Sequence, residues 1–147
     1  MTKDFLLRLT EEHYGAGVFP VYGRLLEEQR LVRGGPLLPM WHCTAALRRA
    51  FGEDRVLVLG CTNDSLLAHL LGATPVNPLL PHYHCPNCHH LLFDAHADDG
   101  WDLPDLACPE CGTPMVADGH NLRSRSLVGE SVVSLQVPQE QFAPVCA

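Results

Sequence analysis

The sequence predicts an α+β protein: N-terminal helices, a strand–turn–helix unit, a four-cysteine zinc ribbon and a C-terminal strand. Three observations carry that prediction. Apolar residues recur at helical spacing through the first fifty positions. A short apolar run then precedes a capped helical run. Finally, two C-x2-C pairs lie in a stretch too polar to build a core of its own. The chain has 147 residues, 46% of them hydrophobic, so it is long enough to bury about two-thirds of its unfolded surface. We divide it into a helical segment at 1–53, a strand–turn–helix unit with a proline-rich connector at 54–78, a zinc ribbon at 79–120, and a C-terminal strand and tail at 121–147.

The first helix carries Leu6, Leu7 and Leu9 ahead of Glu11-Glu12-His13-Tyr14, and Gly15 and Gly17 close it. Pro20 suits the start of a second helix, whose apolar face is Val21, Leu25, Leu26 and Leu31-Val32. Gly34-Gly35-Pro36 breaks the chain. A third helix is expected from about Pro39 to Phe51, with Met40, Trp41, Ala45, Ala46, Leu47 and Ala50 inward, Arg48-Arg49 outward and Gly52 at its end. Arg55 to Leu59 reads as a strand between Gly52 and Gly60. Thr62-Asn63-Asp64-Ser65 offers an N-cap to Leu66–Leu71, and Gly72 suits the left-handed position that follows. Three prolines between Pro75 and Pro81 make an extended connector. Val132–Val137 alternates well enough for one strand, which Pro138 ends; the tail to Ala147 is expected to be poorly fixed.

Seven cysteines, an odd number, without a secretion signal, argue for metal binding rather than a disulfide framework. Cys85-Pro86-Asn87-Cys88 and Cys108-Pro109-Glu110-Cys111-Gly112 are knuckles separated by 19 residues. Each tight turn aims two sulfurs at one point, and the small Gly112 is expected to relieve crowding behind the second. Four thiolates suit tetrahedral Zn2+ and leave no position for a catalytic water, so the site reads as structural. Iron in a rubredoxin-like site is the competitor. His82, His84, His89, His90 and His96 crowd the same region. One of them in place of a cysteine is the alternative; solvated or outer-shell histidines are the simpler reading, because four cysteines already fill the tetrahedron. Cys43 beside His42 reads as a buried small thiol, because sequence neighbours do not face each other on a helix. Cys61 lies in a turn before a helix, where a thiol pKa can fall, but a packed turn residue is the preferred reading.

Ten Lys and Arg against 17 Asp and Glu give a formal charge of -7. This opposes a broad grip on nucleic acid, which needs clustered positive charge. No apolar run approaches the roughly 18 residues of a membrane span, and Met1-Thr2-Lys3-Asp4 opens no signal peptide. A cytoplasmic protein is expected.

The run from Gly72 to Cys88 contains N-P-L-L-P-H-Y-H-C-P-N-C, and Trp101 to Pro114 reads W-D-L-P-D-L-A-C-P-E-C-G-T-P, with Asp118-Gly119-His120 after it. In that order and spacing these motifs resemble PolC-type replicative DNA polymerases. The resemblance is specific from about Gly60 to Gly129 and weaker over the N-terminal helices. It corresponds to a small slice of a much longer polymerase. It implies a metal-bearing insertion beside the polymerase palm, with Cys85, Cys88, Cys108 and Cys111 matching its cysteines. It also implies a nucleotide-phosphate loop, S-R-G-S-x-G-S, matched here by Leu57–Ser65, where Leu59 replaces the arginine and Asp64 adds negative charge. Counting from Val128-Gly129, the P-D-I-D motif whose aspartates hold catalytic Mg2+ falls on Val133-Ser134-Leu135-Gln136. Ser134 and Gln136 supply no anionic oxygens. After Gly129 the acids are Glu130 and Glu140, so no shift of register restores a carboxylate pair.

The expectation is a truncated, stand-alone, catalytically degenerate relative, a homo-oligomer or a subunit of a larger complex, with Val132–Val137 at the contact because a lone strand invites pairing. One rival is a nucleic-acid-binding zinc ribbon linked to DNA replication, using Arg48, Arg49, Arg55, Arg123 and Arg125. Against it stand the net charge and Asp94, Asp98, Asp99, Asp102 and Asp105. Another is an enzyme using His/Cys chemistry at the ribbon, which needs an open metal position that four cysteines deny.

Overall fold

The computed structural model describes residues 2–94 and 96–137; Pro138, Cys146 and the tail to Ala147 lie outside the described residues. The fold is α+β. Three helices come first: α1 (Lys3–Tyr14), α2 (Phe19–Val32) and α3 (Leu37–Phe51). Strand β1 (Leu57–Leu59) runs through a 3-10 turn at Gly60–Asp64 into α4 (Leu66–Leu71). The ribbon holds β2 (His82–His84), β3 (Leu91–Phe93) and β4 (Val116–Asp118), and β5 (Ser134–Gln136) follows. Among the described residues, no helix is long and apolar enough to cross a membrane.

Local chemistry explains the helix ends. The Thr2 side chain accepts from the Phe5 N–H at 3.2 Å and caps α1. Pro20 sits in the first turn of α2. Ser65 Oγ accepts from the Ala68 N–H at 3.0 Å to cap α4, and Gly72 ends it in the left-handed conformation, φ 89°.

One apolar core joins all four helices. Leu6 and Leu9 of α1, Val21 and Leu25 of α2, Trp41 of α3 and Leu66 and Leu67 of α4 meet there, with Leu79 and Leu127 from the irregular segments. Trp41 is fully buried, and its indole N–H donates to Thr62 Oγ1 at 3.1 Å, so its polar edge is satisfied. A second, much smaller core lies in the ribbon: Tyr83, Cys85, Cys108 and Met115, with Leu92, Leu103 and Ala117 against them.

Two antiparallel sheets complete the architecture. In the ribbon the order is β3-β2-β4, with Tyr83 opposite both Leu92 and Ala117. Away from it β1 pairs with β5, with Val58 opposite Leu135. The C-terminal strand is therefore paired, not lone as its sequence suggested. The proline-rich connector lies against the segment after β4: the N–H groups of His120, Asn121 and Leu122 donate to the carbonyls of Asn77, Leu79 and Pro78, each at 2.9 Å.

Several sequence expectations need correction. Helix α3 starts at Leu37, two residues before Pro39, and β1 and β5 are three residues each rather than the longer Arg55–Leu59 and Val132–Val137. Arg48 points inward: it is 3% exposed, and its Nη1 donates to the Gly72 carbonyl at 2.7 Å. Met40 is half-buried, while Ala46, Leu47 and Ala50 are exposed. The helix has rolled so that Arg48 follows Trp41, Thr44 and Ala45 on the buried stripe at i, i+3, i+4 and i+7. Cys43 is exposed rather than buried, because it lies off that stripe.

Candidate metal centre

The two knuckles are built alike. The Cys85 carbonyl accepts from the His89 N–H at 3.0 Å, and the Cys108 carbonyl accepts from the Gly112 N–H at 2.8 Å. The Cys85 N–H donates to the His90 carbonyl, and the Cys108 N–H donates to the Thr113 carbonyl, both at 2.8 Å. This pattern forces the residue after the second cysteine into left-handed backbone: φ is 63° at His89 and 77° at Gly112. A Cβ on Gly112 would have nothing within 4 Å. The glycine is therefore there for its backbone conformation and not to relieve crowding, and His89 bears the corresponding strain in the first knuckle.

The turns bring Cys85, Cys88, Cys108 and Cys111 together, with all four Sγ atoms within 4.8 Å of one another. Cys85 and Cys111 sulfurs are 3.4 Å apart, and those of Cys88 and Cys108 are 3.5 Å apart. Those separations are too long for a disulfide, which holds sulfurs at about 2.05 Å. They are close to the roughly 3.8 Å between corners of a tetrahedron with metal–sulfur bonds of about 2.3 Å. The donor set and spacing therefore fit a four-coordinate metal ion. Cys85 and Cys108 are buried beneath the ribbon; Cys88 and Cys111 are exposed.

Hydrogen bonding acts in opposite directions on the two exposed sulfurs: the neighbouring cysteines push the Cys88 thiol up, whereas polar donors favour the Cys111 thiolate. The Cys88 N–H lies 3.4 Å from Cys85 Sγ as a donor. Thr113 Oγ1 is 3.3 Å from Cys111 Sγ. The Thr113 hydroxyl, with the Asn87 side chain, pulls the Cys111 thiol down to about 5. The sulfur cluster contains no histidine. His82 is instead buried with its Nδ1 2.7 Å from the Leu80 carbonyl, and His89 is exposed.

Comparison with known proteins fits this picture. No family model matches the chain. The PolC-type DNA polymerase III of Ureaplasma parvum is 49% identical over 131 residues, which are 87% of this chain and 9% of that polymerase. The PolC-type enzyme of Bacillus subtilis is 47% identical over 113 residues, 74% of this chain and 8% of the polymerase. The chain is related to one segment of PolC-type DNA polymerase III. It spans less than a tenth of the length of these PolC relatives. That of Thermotoga petrophila is 47% identical over 72 residues, 48% of this chain.

The positions that the resemblance assigns to PolC chemistry also converge, on the other sheet. Ser134 pairs with Leu59, and Gln136 pairs with Leu57. The segment matched to the phosphate loop and the segment matched to the metal-binding motif are thus neighbouring strands. Cys61, at the turn between β1 and α4, is half-buried. Burial pushes its thiol pKa up, as do the nearby Glu130 and Asp64 carboxylates, so the turn does not activate it.

One network had no signature in the sequence. Glu28 of α2 is fully buried and sits at the N-terminus of α4. Its carboxylate accepts from the Leu66 N–H at 2.9 Å, the Leu67 N–H at 2.8 Å and Ser65 Oγ at 2.9 Å. Arg24 Nε donates to it at 2.7 Å, and Arg24 Nη2 reaches the carbonyls of Asp64 and Leu122, each at 2.9 Å. The i, i+4 spacing of Arg24 and Glu28 was visible, but such pairs ordinarily lie on a solvated helix face. Their burial is set by where α4 docks.

Proposed function

We propose that this chain is a non-catalytic zinc protein, a PolC-related scaffold that acts as an interaction or accessory subunit. The observation that carries the reading is the contrast between its two sheets. The ribbon brings a complete set of four sulfurs to one point. Where β1 meets β5, the side chains are Leu57, Leu59, Ser134 and Gln136, none of which holds Mg2+. The Glu28 carboxylate supports the same reading. Paired with Arg24, it occupies the N–H donors at the start of α4, and the Asp64 and Glu130 carboxylates act on Cys61 in the turn before them. A nucleotide triphosphate would meet like charge there.

Zinc is the metal of choice because four thiolates with no open position form a redox-silent structural site. Such thiolates persist in a reducing compartment, and a cytoplasmic location is part of the same reading. A partner, either a second copy or another subunit, would cover the outer side of β1–β5. There Leu57 is 52%, Leu59 48% and Val132 58% exposed. The nucleic-acid alternative loses ground, because Arg48 is buried against Gly72 and withdrawn from the basic patch.

Templated primer extension tests the proposal. With Mg2+ or Mn2+ and all four nucleotides, the purified protein is expected to incorporate nothing above a protein-free control. Extension that co-elutes with the chain through successive columns would overturn it.

A further inference from the structure

We propose a second metal site, separate from the four sulfurs, for a divalent ion of the zinc type, held by His69, His82, His84 and Asp118. These residues, together with His13, line a cavity of about 140 Å3 where α1 and α4 meet the ribbon. They come from three elements: His69 from α4, His82 and His84 from β2, and Asp118 from β4.

Hydrogen bonding selects the metal-binding tautomer. The Nδ1 of His69 is 3.1 Å from the Thr74 carbonyl, and the Nδ1 of His82 is 2.7 Å from the Leu80 carbonyl. A carbonyl only accepts, so each Nδ1 carries the proton and each Nε2 presents a lone pair. A backbone carbonyl on the far nitrogen is the usual orienting partner of a metal-bound histidine. Burial lowers the pKa of both rings and keeps that lone pair free of a proton near neutrality.

The third imidazole supplies an independent observation. His84 Nε2 is buried and has no hydrogen-bond partner. A buried nitrogen left bare is unfavourable, and a metal ion would satisfy it. Asp118 commits Oδ1 to the Gly119 N–H at 2.9 Å, which leaves Oδ2 for a ligand. Three imidazoles and one carboxylate are a nitrogen–oxygen set suited to Zn2+, Co2+ or Ni2+. The four cysteines are the group already gathered within 4.8 Å among the described residues. His84 and Asp118, which hold no hydrogen bond at Nε2 and Oδ2, must therefore move toward His69 and His82, and this site should bind more weakly than the sulfurs. A bound ion would tie the helical core to the ribbon.

Titration with Co2+ separates the two sites, starting from protein that already carries one equivalent of zinc. The expected result is one further equivalent, seen as weak visible bands without sulfur-to-cobalt charge transfer. His69→Gln and, separately, Asp118→Asn should each lose that equivalent and keep the first zinc. If His69→Gln also loses the first zinc through misfolding, Asp118→Asn alone decides. The proposal is overturned if the parent protein takes no second equivalent, or if a folded variant still binds it as the parent does.

Discussion

Replacing Cys108 by serine is expected to release the metal and unfold the ribbon between His82 and Asp118 while the helices stay folded. The ribbon's three strands have three residues each, and its core is Tyr83, Met115 and the buried cysteines themselves. So small a core does not hold a fold without a staple. Structural zinc in small sites contributes on the order of 10 kcal/mol, and removing a ligand loses most of it. The helical core is separate and rests on Leu6, Leu25, Trp41 and Leu66. Metal analysis with amide NMR reads both halves of the prediction: zinc absent, ribbon signals collapsed and helical signals kept. A Cys108→Ser protein with a full zinc equivalent and an intact ribbon would contradict it.

The second large effect is expected from Glu28→Ala. Its carboxylate accepts from Leu66, Leu67, Ser65 and Arg24, and its side chain has no exposed surface. Removing it strands two helix N–H groups and leaves the Arg24 guanidinium without its carboxylate, held only by the Asp64 and Leu122 carbonyls. Breaking a buried charge pair by deleting one partner costs about 3–5 kcal/mol. Because the network docks α4 on α2, the loss should appear in denaturant unfolding of the helical core, with the zinc retained. A destabilisation below about 1 kcal/mol would mean that water replaces the carboxylate easily.

The parts of this fold that were legible in the sequence depend on local chemistry. Ser65 and Gly72 announced α4 because capping is a property of a few neighbouring residues. Cys85, Cys88, Cys108 and Cys111 announced the metal centre because the knuckle spacing itself sets the geometry. What escaped depends on tertiary docking. Arg48 was placed outward on its charge, yet the Gly72 carbonyl at the end of α4 gives it an interior partner. Glu28 looked like part of a solvated helix face until α4 packed across it. The pairing of β5 with β1 joins segments more than seventy residues apart, a contact that periodicity does not encode. His82 and His84 were read as solvated or outer-shell residues because four cysteines already fill the tetrahedron, and the sulfur cluster indeed holds no histidine. Two elements, α4 and β2, bring His69, His82 and His84 to the lining of one cavity.

X-ray absorption at the metal edge, on protein purified without added metal, tests the central claim most directly. The account predicts one equivalent of zinc with a first shell of four sulfurs at about 2.3 Å. An iron edge, a first shell containing nitrogen or oxygen at one equivalent, or no bound metal would contradict it.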